Sequence, residues 1–324
     1  MAPELADLAE DASAVESREL VVAPAQHGER LDKTLSDGLP EFSRSYLQQL
    51  VRDASVTVNG VPVTKPSVRL KADDVCRIAL RATPQARAFR PQAMPLEIVF
   101  EDAHLLVIDK PAGLVVHPAP GHWSGTLLNG LLALLPESTQ LPRAGIVHRL
   151  DKDTSGLMLV ARTRVAMDAL VRMIAVRNVQ RQYLALAHRP WTGPAVREVR
   201  LAIGRDPANR LRMAALDASR HAAKAASTTL EFLQGGAHGC LVRCTLHSGR
   251  THQIRGHMAS IGHPLVADAT YGGAVAVGMQ RQALHAFRLA LAHPVSGVPL
   301  EFLAAAPPDL QAAMAHWGLS YNRA

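Results

Sequence analysis

The segment richest in chemically capable side chains runs from Gly145 to Leu157 and reads Gly-Ile-Val-His-Arg-Leu-Asp-Lys-Asp-Thr-Ser-Gly-Leu. Its residues 149–155 hold two acids, two bases and two hydroxyls between apolar stretches. Functional side chains concentrate in polar loops that a rigid sheet carries, so the pattern predicts a site loop. A solvated turn, in which Asp153, Thr154 and Ser155 bond to their own backbone, is the alternative.

A second polar segment, Leu246 to His257, carries Arg250 and Arg255 among several histidines. These arginines can neutralise a carboxylate or hold phosphate. The histidines at 247, 252, 257 and 263 are five, five and six positions apart, so no two share a helix face as an i, i+4 pair would. We therefore predict no metal site and expect most of these histidines to be hydrogen-bonded or in the core.

Composition limits the class of protein. The 324 residues suffice for two domains, and no uninterrupted apolar stretch reaches the roughly 18 residues that a membrane span needs. The N-terminus lacks the pattern of a secretory signal. Three scattered cysteines, Cys76, Cys240 and Cys244, fit neither a disulfide framework nor a zinc site. We expect a reducing, cytoplasmic location and no contact with membranes.

Charge is unevenly distributed along the chain. The formal net charge is +7, yet residues 1–20 hold six acids and one arginine, so the remainder carries +12. A basic body favours a polyanionic partner such as RNA. Only 4% of residues are aromatic, which argues against a stacking platform for single-stranded RNA and favours contact through phosphate, shape and one extracted base.

The chain divides into four predicted parts. Residues 1–18 are acidic and form a disordered tail. Residues 19–80 form a small domain with two short helices and a hairpin that turns at Asn59-Gly60. Residues 81–95 contain three prolines and form a linker or an arm over the next domain, and residues 96–324 form the second domain.

In the second domain, predicted strands outnumber helices and do not alternate with them regularly, which favours an α+β fold over a doubly wound sheet. The predicted strands include Leu105–Ile108, Gly113–His117, Leu157–Ala161 and Val179–Ala187. An amphipathic helix is predicted at Arg164–Arg177. The stretch Arg197–Ala226, rich in Arg and Ala, is either a surface insertion or a specificity element.

His148–Gly156 resembles the signature of the RluA/RluD-type pseudouridine synthases. Further segments resemble other motifs of this family in the same order: Asp109–His117, Gln182–Ala185, Gly249–Arg255, Gly262–Asp268 and Leu284–Ala286. Near the N-terminus, Arg30–Lys33, Ser43–Ser45 and Val56–Gly60 resemble the αL RNA-binding module of S4-like domains.

The resemblance implies a small αL-type (S4-like) RNA-binding domain followed by a catalytic domain on a mixed, largely antiparallel sheet with flanking helices. It also implies conversion of uridines to pseudouridine in structured RNA, most naturally large-subunit ribosomal RNA. Because the base is detached, turned and rejoined within one site, no cofactor is needed. The target base must be flipped into a pocket. We expect a monomer.

The resemblance assigns site residues as well. Asp151 matches the essential aspartate, Tyr183 the tyrosine that packs on the base, and Arg255 the basic partner that we expect to form an ion pair with Asp151. Arg149 resembles the residue that fills the place of the extracted base. The other predicted substrate-binding residues are His148, Arg250, His252 and Gln253. The predicted RNA-binding residues are Arg30, Lys33, Ser43, Arg44 and Asn59. We interpret Asp153, the rival to Asp151, as structural.

Three other functions compete with this interpretation. A non-catalytic RNA-binding or ribosome-assembly protein would not require an acid in a basic pocket. A zinc base deaminase would need His-x-Glu and Pro-Cys-x-x-Cys, and neither occurs. A kinase-like fold would need Asp-Phe-Gly and a glycine-rich nucleotide loop, which are also missing.

Overall fold

The computed structural model describes residues 16–80, 88–119, 121–209 and 212–321. Contacts between residues divide the chain into two compact units, and the boundary between them in the sequence falls between residues 87 and 88. Most of the predicted tail lies outside the described residues, but its last part, from Glu16, already belongs to a strand. The predicted linker lies outside them up to residue 87. From Ala88 onward it belongs to the second unit, where the Asn129 amide donates to the backbone oxygens of Ala88 and Arg90 at 3.2 and 2.8 Å.

The first unit packs two helices on a four-stranded sheet of order β1-β4-β2-β3. Its elements are β1 (Glu16–Val21), α1 (Leu31–Gly38), α2 (Arg44–Arg52), β2 (Val56–Val58), β3 (Val61–Pro62) and β4 (Val75–Leu80). The predicted hairpin is present. Asn59 and Gly60 turn with φ of 51° and 81°, in the left-handed region that Asn and Gly tolerate best.

A buried carboxylate joins the two helices of the first unit. Asp32 in α1 has a fully buried side chain and accepts hydrogen bonds from Arg30 at 2.9 Å, Arg44 at 2.8 Å and Gln48 at 2.7 Å. The hydrogen bond from Arg30 lowers the pKa of Asp32 well below its ordinary value of 3.8, although burial acts in the opposite direction. Arg30 and Arg44, both predicted to bind RNA, are thus held in place by one carboxylate.

The second unit contains the remaining elements. Its strands are β5 (Glu97–Glu101), β6 (Leu105–Lys110), β7 (Ser155–Ala161), β8 (Gln180–His188), β9 (Val196–Val199), β10 (Ala202–Arg205), β11 (Met213–Leu216), β12 (Ala223–Lys224), β13 (Thr228–Gly235), β14 (Gly239–Leu246), β15 (Leu284–Ala292) and β16 (Pro299–Leu303). Its helices are α3 (Leu127–Leu134), α4 (Arg164–Ala175), α5 (Gln253–Ser260) and α6 (Pro308–His316).

Nine of these strands form one mixed sheet of order β5-β6-β7-β15-β8-β14-β13-β9, with β16 beside β15. The pairing of β7 with β15 is parallel, and the other pairings are antiparallel. Strand β7 is buried on both faces: Met158 and Val160 belong to one hydrophobic core, and Leu157 and Leu159 to another. Helices α3 and α5 pack in the first core and α4 in the second. The predicted α+β architecture is confirmed.

Two stretches of the second unit lie outside the nine-stranded sheet over most of their length. Gly113–His117 was predicted as a strand and is a loop, because the backbone of Gly113 and Leu114 bonds to groups of another segment instead of a ladder. Within Arg197–Ala226, strands β10, β11 and β12 form their own three-stranded sheet. None of the helices in the described ranges has both the length and the apolar character needed to cross a membrane.

Asp32→Asn should destabilise the first unit at neutral pH by roughly 1–3 kcal/mol, because it weakens three hydrogen bonds to a buried charge. Since the folded-state pKa of Asp32 is depressed, its contribution is present above about pH 4 and is lost as the pH falls below that. Hydrogen exchange in peptides from α1 and α2 measures this. Asp37→Asn, an exposed carboxylate in the same helix, is the control. Equal protection of the two variants at pH 7 would contradict the assignment.

Candidate active site

The loop between Ile146 and β7 is fixed by cations that bind its backbone. Lys110, at the end of β6, is fully buried and donates from Nζ to the backbone oxygens of Pro111 (2.7 Å), Leu114 (3.0 Å) and Lys152 (3.0 Å). Burial lowers the pKa of Lys110 to about 8. Arg281 Nη1 donates to the backbone oxygen of Asp153 at 2.9 Å. The loop backbone on the C-terminal side of Asp151 is therefore held from two directions.

Asp151 shares one arginine with a second carboxylate. Arg255 in α5 donates from Nη1 to Asp151 Oδ2 at 3.2 Å. Its other edge forms a bidentate pair with Asp268, with Nε to Oδ2 at 2.7 Å and Nη2 to Oδ1 at 2.8 Å. Asp268 is buried, whereas Asp151 is 16% exposed. The predicted ion pair between Asp151 and Arg255 is confirmed, and Asp268 fixes the orientation of its guanidinium.

The guanidinium of Arg255 stays charged in this environment. Burial alone would lower the pKa of Arg255, but the hydrogen bonds and negative charges of Asp268 and Asp151 raise it above its ordinary value. The guanidinium carbon also lies 5.0 Å from the ring centroid of Tyr271, a cation–π distance. Arg255 therefore places a permanent positive charge beside Asp151, the one of its two carboxylate partners that reaches the solvent.

His252 lies near the second carboxylate oxygen of Asp151. It precedes α5 with a left-handed φ of 55°, and its Nδ1 lies 3.1 Å from the Tyr271 hydroxyl. Its Nε2 is 3.8 Å from Asp151 Oδ1. Burial lowers the pKa of His252, while the charge of Asp151 opposes that change. The ring is thus available as a neutral hydrogen-bonding group next to the carboxylate.

Asp151 opens into a cavity of about 830 Å³ on the sheet face that α3 and α5 cover. Tyr183 of β8 lines it with a side chain that is only 5% exposed, and burial raises the pKa of Tyr183 to about 12. Arg149 and Arg250 line it with exposed side chains. The volume accommodates a nucleotide, since small-molecule sites occupy roughly 300–1,000 Å³.

Comparisons with known proteins agree with this geometry. A family profile described as RNA pseudouridylate synthase matches residues 104–260, and one described as S4 domain matches residues 29–76. The ribosomal large subunit pseudouridine synthase D of Neisseria meningitidis serogroup B is 44% identical over 313 residues, which cover 92% of this chain and 82% of that protein. The chain belongs to the RNA pseudouridylate synthase family.

Two further relatives extend the comparison. The ribosomal large subunit pseudouridine synthase D of Nitrosomonas europaea is 43% identical over 304 residues, covering 91% of this chain and 86% of that protein. The solved structure of human RNA pseudouridylate synthase domain containing 1 is 28% identical, with a TM-score of 0.52, and covers 68% of this chain and 87% of the human one. The predicted family, fold and enzyme class are confirmed, and this pseudouridine synthase isomerises uridine in RNA.

Two of the predicted substrate-binding residues of the synthase bond to the protein itself. Gln253 is 2% exposed and makes four amide hydrogen bonds, which leaves it none for a substrate. Its partners are Ser248 Oγ, the Arg250 amide, the Ser227 carbonyl and Thr228 Oγ1. His148 accepts the Leu159 amide at Nε2 (2.9 Å), so only its Nδ1 is available. Gln253 therefore belongs to the framework of the synthase.

The predicted RNA-binding residues of the first unit are partly engaged. Ser43 caps α2 by accepting the Tyr46 amide, and Lys33 pairs with Glu29. Asn59 donates to Asp74 and accepts the Val75 amide, which stabilises the hairpin. Arg30 and Arg44 retain 48% and 52% side-chain exposure despite their bonds to Asp32. Lys33 is 56% exposed, so three of the five residues present accessible cationic donors.

Sequence reasoning missed several residues of the synthase site. Asp268 was noted only as the end of a motif, although a buried arginine requires a carboxylate partner and this acid lay in a nearby motif. Tyr271 follows it by three positions and carried no motif of its own. Lys110 lies in Asp109–His117, a segment that resembles a family motif, but no role was predicted for it. Its burial could not be inferred from residue type, since lysine is almost never fully buried.

Asp268→Asn should lower the single-turnover rate at saturating RNA by roughly 100-fold, because Arg255 loses its bidentate anchor and the geometry around Asp151 loosens. RNA affinity should change less than about threefold, since Asp268 is buried away from any ligand. Glu301→Gln removes a comparable bidentate partner from Arg288 outside the cavity and should leave the rate unchanged. An unchanged rate in the Asp268 variant would show that Arg255 needs no anchor.

Proposed function

We propose that this synthase converts uridines of large-subunit ribosomal RNA to pseudouridine and that Asp151 is its catalytic carboxylate. The observation that carries the proposal is the accessible carboxylate of Asp151, held by Arg255 at the floor of a nucleotide-sized cavity. The names of the relatives from Neisseria and Nitrosomonas support the large ribosomal subunit as the source of the RNA.

The reaction breaks the bond from ribose C1′ to uracil N1 and forms a bond from C1′ to uracil C5. The proton on C5 is released and N1 gains one, so the composition of the nucleotide does not change. Asp151 acts either as a nucleophile on the sugar or base, or as a base towards the ribose. Both routes need its carboxylate ionised, and Arg255 places a positive charge 3.2 Å from it.

Tyr183 and Arg149 have separate proposed tasks. With a pKa of about 12, the Tyr183 phenol keeps its proton at neutral pH, which favours packing on the target base over a role as phenolate base. The exposed Arg149 lies beside Asp151 in sequence and lines the same cavity, so it can enter the gap that the flipped base leaves. His252 and Arg250 supply further polar contacts at the cavity.

The first unit is proposed to bind the structured RNA. The S4 match and the exposed guanidinium groups of Arg30 and Arg44 support this, with Lys33, Ser43 and Asn59 contributing charge or shaping the surface. The carboxylate of Asp32 holds the two arginines at fixed positions, which lowers the entropy lost on binding phosphates. We further propose that the enzyme works as a monomer in the cytoplasm without a cofactor.

Asp151→Asn should abolish pseudouridine formation, with a loss of more than roughly 10⁴-fold, while RNA affinity and the melting temperature are retained. The replacement is nearly isosteric and removes only the charge. Asp153→Asn is the matched control in the same loop and should keep substantial activity. Treatment of ribosomal RNA with each variant, followed by chemical derivatisation selective for pseudouridine and mass-spectrometric mapping, measures both. A near wild-type rate for the Asp151 variant would refute the proposed mechanism.

Arg255→Lys should keep partial activity, because lysine retains the charge without the fork that joins two carboxylates. Arg255→Met should lose most of the activity, because it removes both the charge beside Asp151 and the donors that join Asp151 to Asp268. Single-turnover rates at saturating RNA measure this. If Arg255 contacted only phosphate, its removal would weaken RNA affinity and leave the rate at saturating RNA unchanged.

A further inference from the structure

A second buried arginine of the cavity has no partner among the residues that the structure describes. Arg181, the second residue of β8, is 5% exposed and lines the cavity together with Asp151 and Tyr183. Within the described ranges, its guanidinium makes neither a hydrogen bond nor an ion pair, and its Nε is completely buried. Arg255, the other buried arginine of this cavity, binds two carboxylates. Arg181 is therefore a cation without a counterion.

The neighbouring backbone accommodates this guanidinium. A Cβ at Gly249 would lie 2.9 Å from Arg181 Nη1, closer than carbon atoms normally approach. Gly249 is not among the glycines with positive φ, so its backbone does not itself require glycine. A side chain at position 249 would therefore require the Arg181 guanidinium to shift.

His148 presents a second unpartnered donor in the same cavity. Because its Nε2 accepts the Leu159 amide, its Nδ1 carries the ring hydrogen, and this nitrogen is buried without a partner in the described structure. Burial and the charge of Arg181 lower the pKa of His148 to about 3, so the ring stays neutral at working pH. The tautomer is thus fixed with one N–H left over.

We propose that Arg181 and the Nδ1–H of His148 form a phosphate-binding subsite that takes a backbone phosphate of the RNA beside the flipped uridine. A buried, unpaired charge is costly, so an anion is the ligand that relieves it. Uracil is neutral, whereas each nucleotide brings one phosphate, whose two free oxygens match the guanidinium fork. The inference rests on the proposed function, because it assumes a flipped uridine in this cavity.

The subsite predicts a particular combination of effects for Arg181→Met, which replaces the side chain by an apolar one of similar length. RNA affinity should fall roughly 10- to 100-fold, the range for a hydrogen bond to a charged group. The slope of log affinity against log salt should fall by about 1. The melting temperature should not fall, because the change removes an unpaired buried charge. Arg164→Met, which removes a surface charge paired with Asp168 outside the cavity, should alter none of these.

A neutral backbone linkage identifies the phosphate. A stem-loop of large-subunit ribosomal RNA that the wild-type enzyme binds is prepared with one methylphosphonate, either 5′ or 3′ of the candidate target uridine. One of these linkages should weaken binding to the wild-type enzyme and have no further effect on Arg181→Met. Additive losses at both linkages would overturn the proposal. An Arg181→Met enzyme whose slope of log affinity against log salt is unchanged would also overturn the proposal, whatever its rate at saturating RNA.

The proposed function is tested separately in the same samples. Pseudouridine formation by the wild-type enzyme on the unmodified stem-loop reports on the reaction and the RNA class. If that reaction occurs, but the methylphosphonate and Arg181→Met weaken RNA binding independently of each other, only the phosphate subsite is refuted. If the stem-loop is bound but not modified, the proposed reaction on this RNA fails, while the salt slope and the cycle still report on the subsite.

Discussion

One guanidinium shared by two carboxylates holds the active site together. Arg255 is buried, and a buried arginine is stable only if its charge and its donors are satisfied. Asp268 satisfies one edge with two short hydrogen bonds, which leaves Nη1 directed at Asp151 at 3.2 Å. The acid that faces the cavity thereby gains a fixed neighbour of opposite charge. The orientation of Asp151 thus depends on a carboxylate that does not itself reach the cavity.

The sheet explains how such distant residues meet. Asp151 and Arg255 are 104 positions apart in the chain. The loop that carries Asp151 enters β7, which pairs with β6 on one side and β15 on the other. Strand β6 delivers Lys110, which binds the Lys152 carbonyl, and Arg281, just before β15, binds the Asp153 carbonyl. The loop is therefore fixed at its backbone by cations and at its functional side chain by Arg255.

Part of this site could be predicted from the sequence. The motifs placed Asp151, Tyr183 and Arg255 in one site, and the structure brings all three to one cavity. The Asn59-Gly60 turn of the first unit followed from turn preferences, which act over a few residues. These features depend on local sequence or on a long motif, and so they are accessible without coordinates.

The remaining features depend on contacts between distant segments. The apolar run Gly113–His117 has the composition of a strand, but the Leu114 carbonyl accepts from the buried Lys110 and the Gly113 amide donates to the Lys152 carbonyl, so it forms a loop. Gln253 lies in a motif, yet its amide is fully used by Ser227, Thr228 and their neighbours. A low aromatic content argued against stacking, although the 70% exposed ring of Phe89 lines the cavity. Composition cannot reveal which few side chains the fold brings to one place.

We expect Asp268 to act on catalysis only through Arg255. A kinetic double-mutant cycle tests this most directly, with single-turnover rates at saturating RNA for Asp268→Asn, Arg255→Lys and the double variant. Because lysine cannot bind both carboxylates at once, Asp268 no longer orients the cation beside Asp151 once Arg255 is replaced. The double variant should therefore be no slower than Arg255→Lys within about threefold. Rate losses that multiply would show instead that Asp268 influences the reaction independently of Arg255.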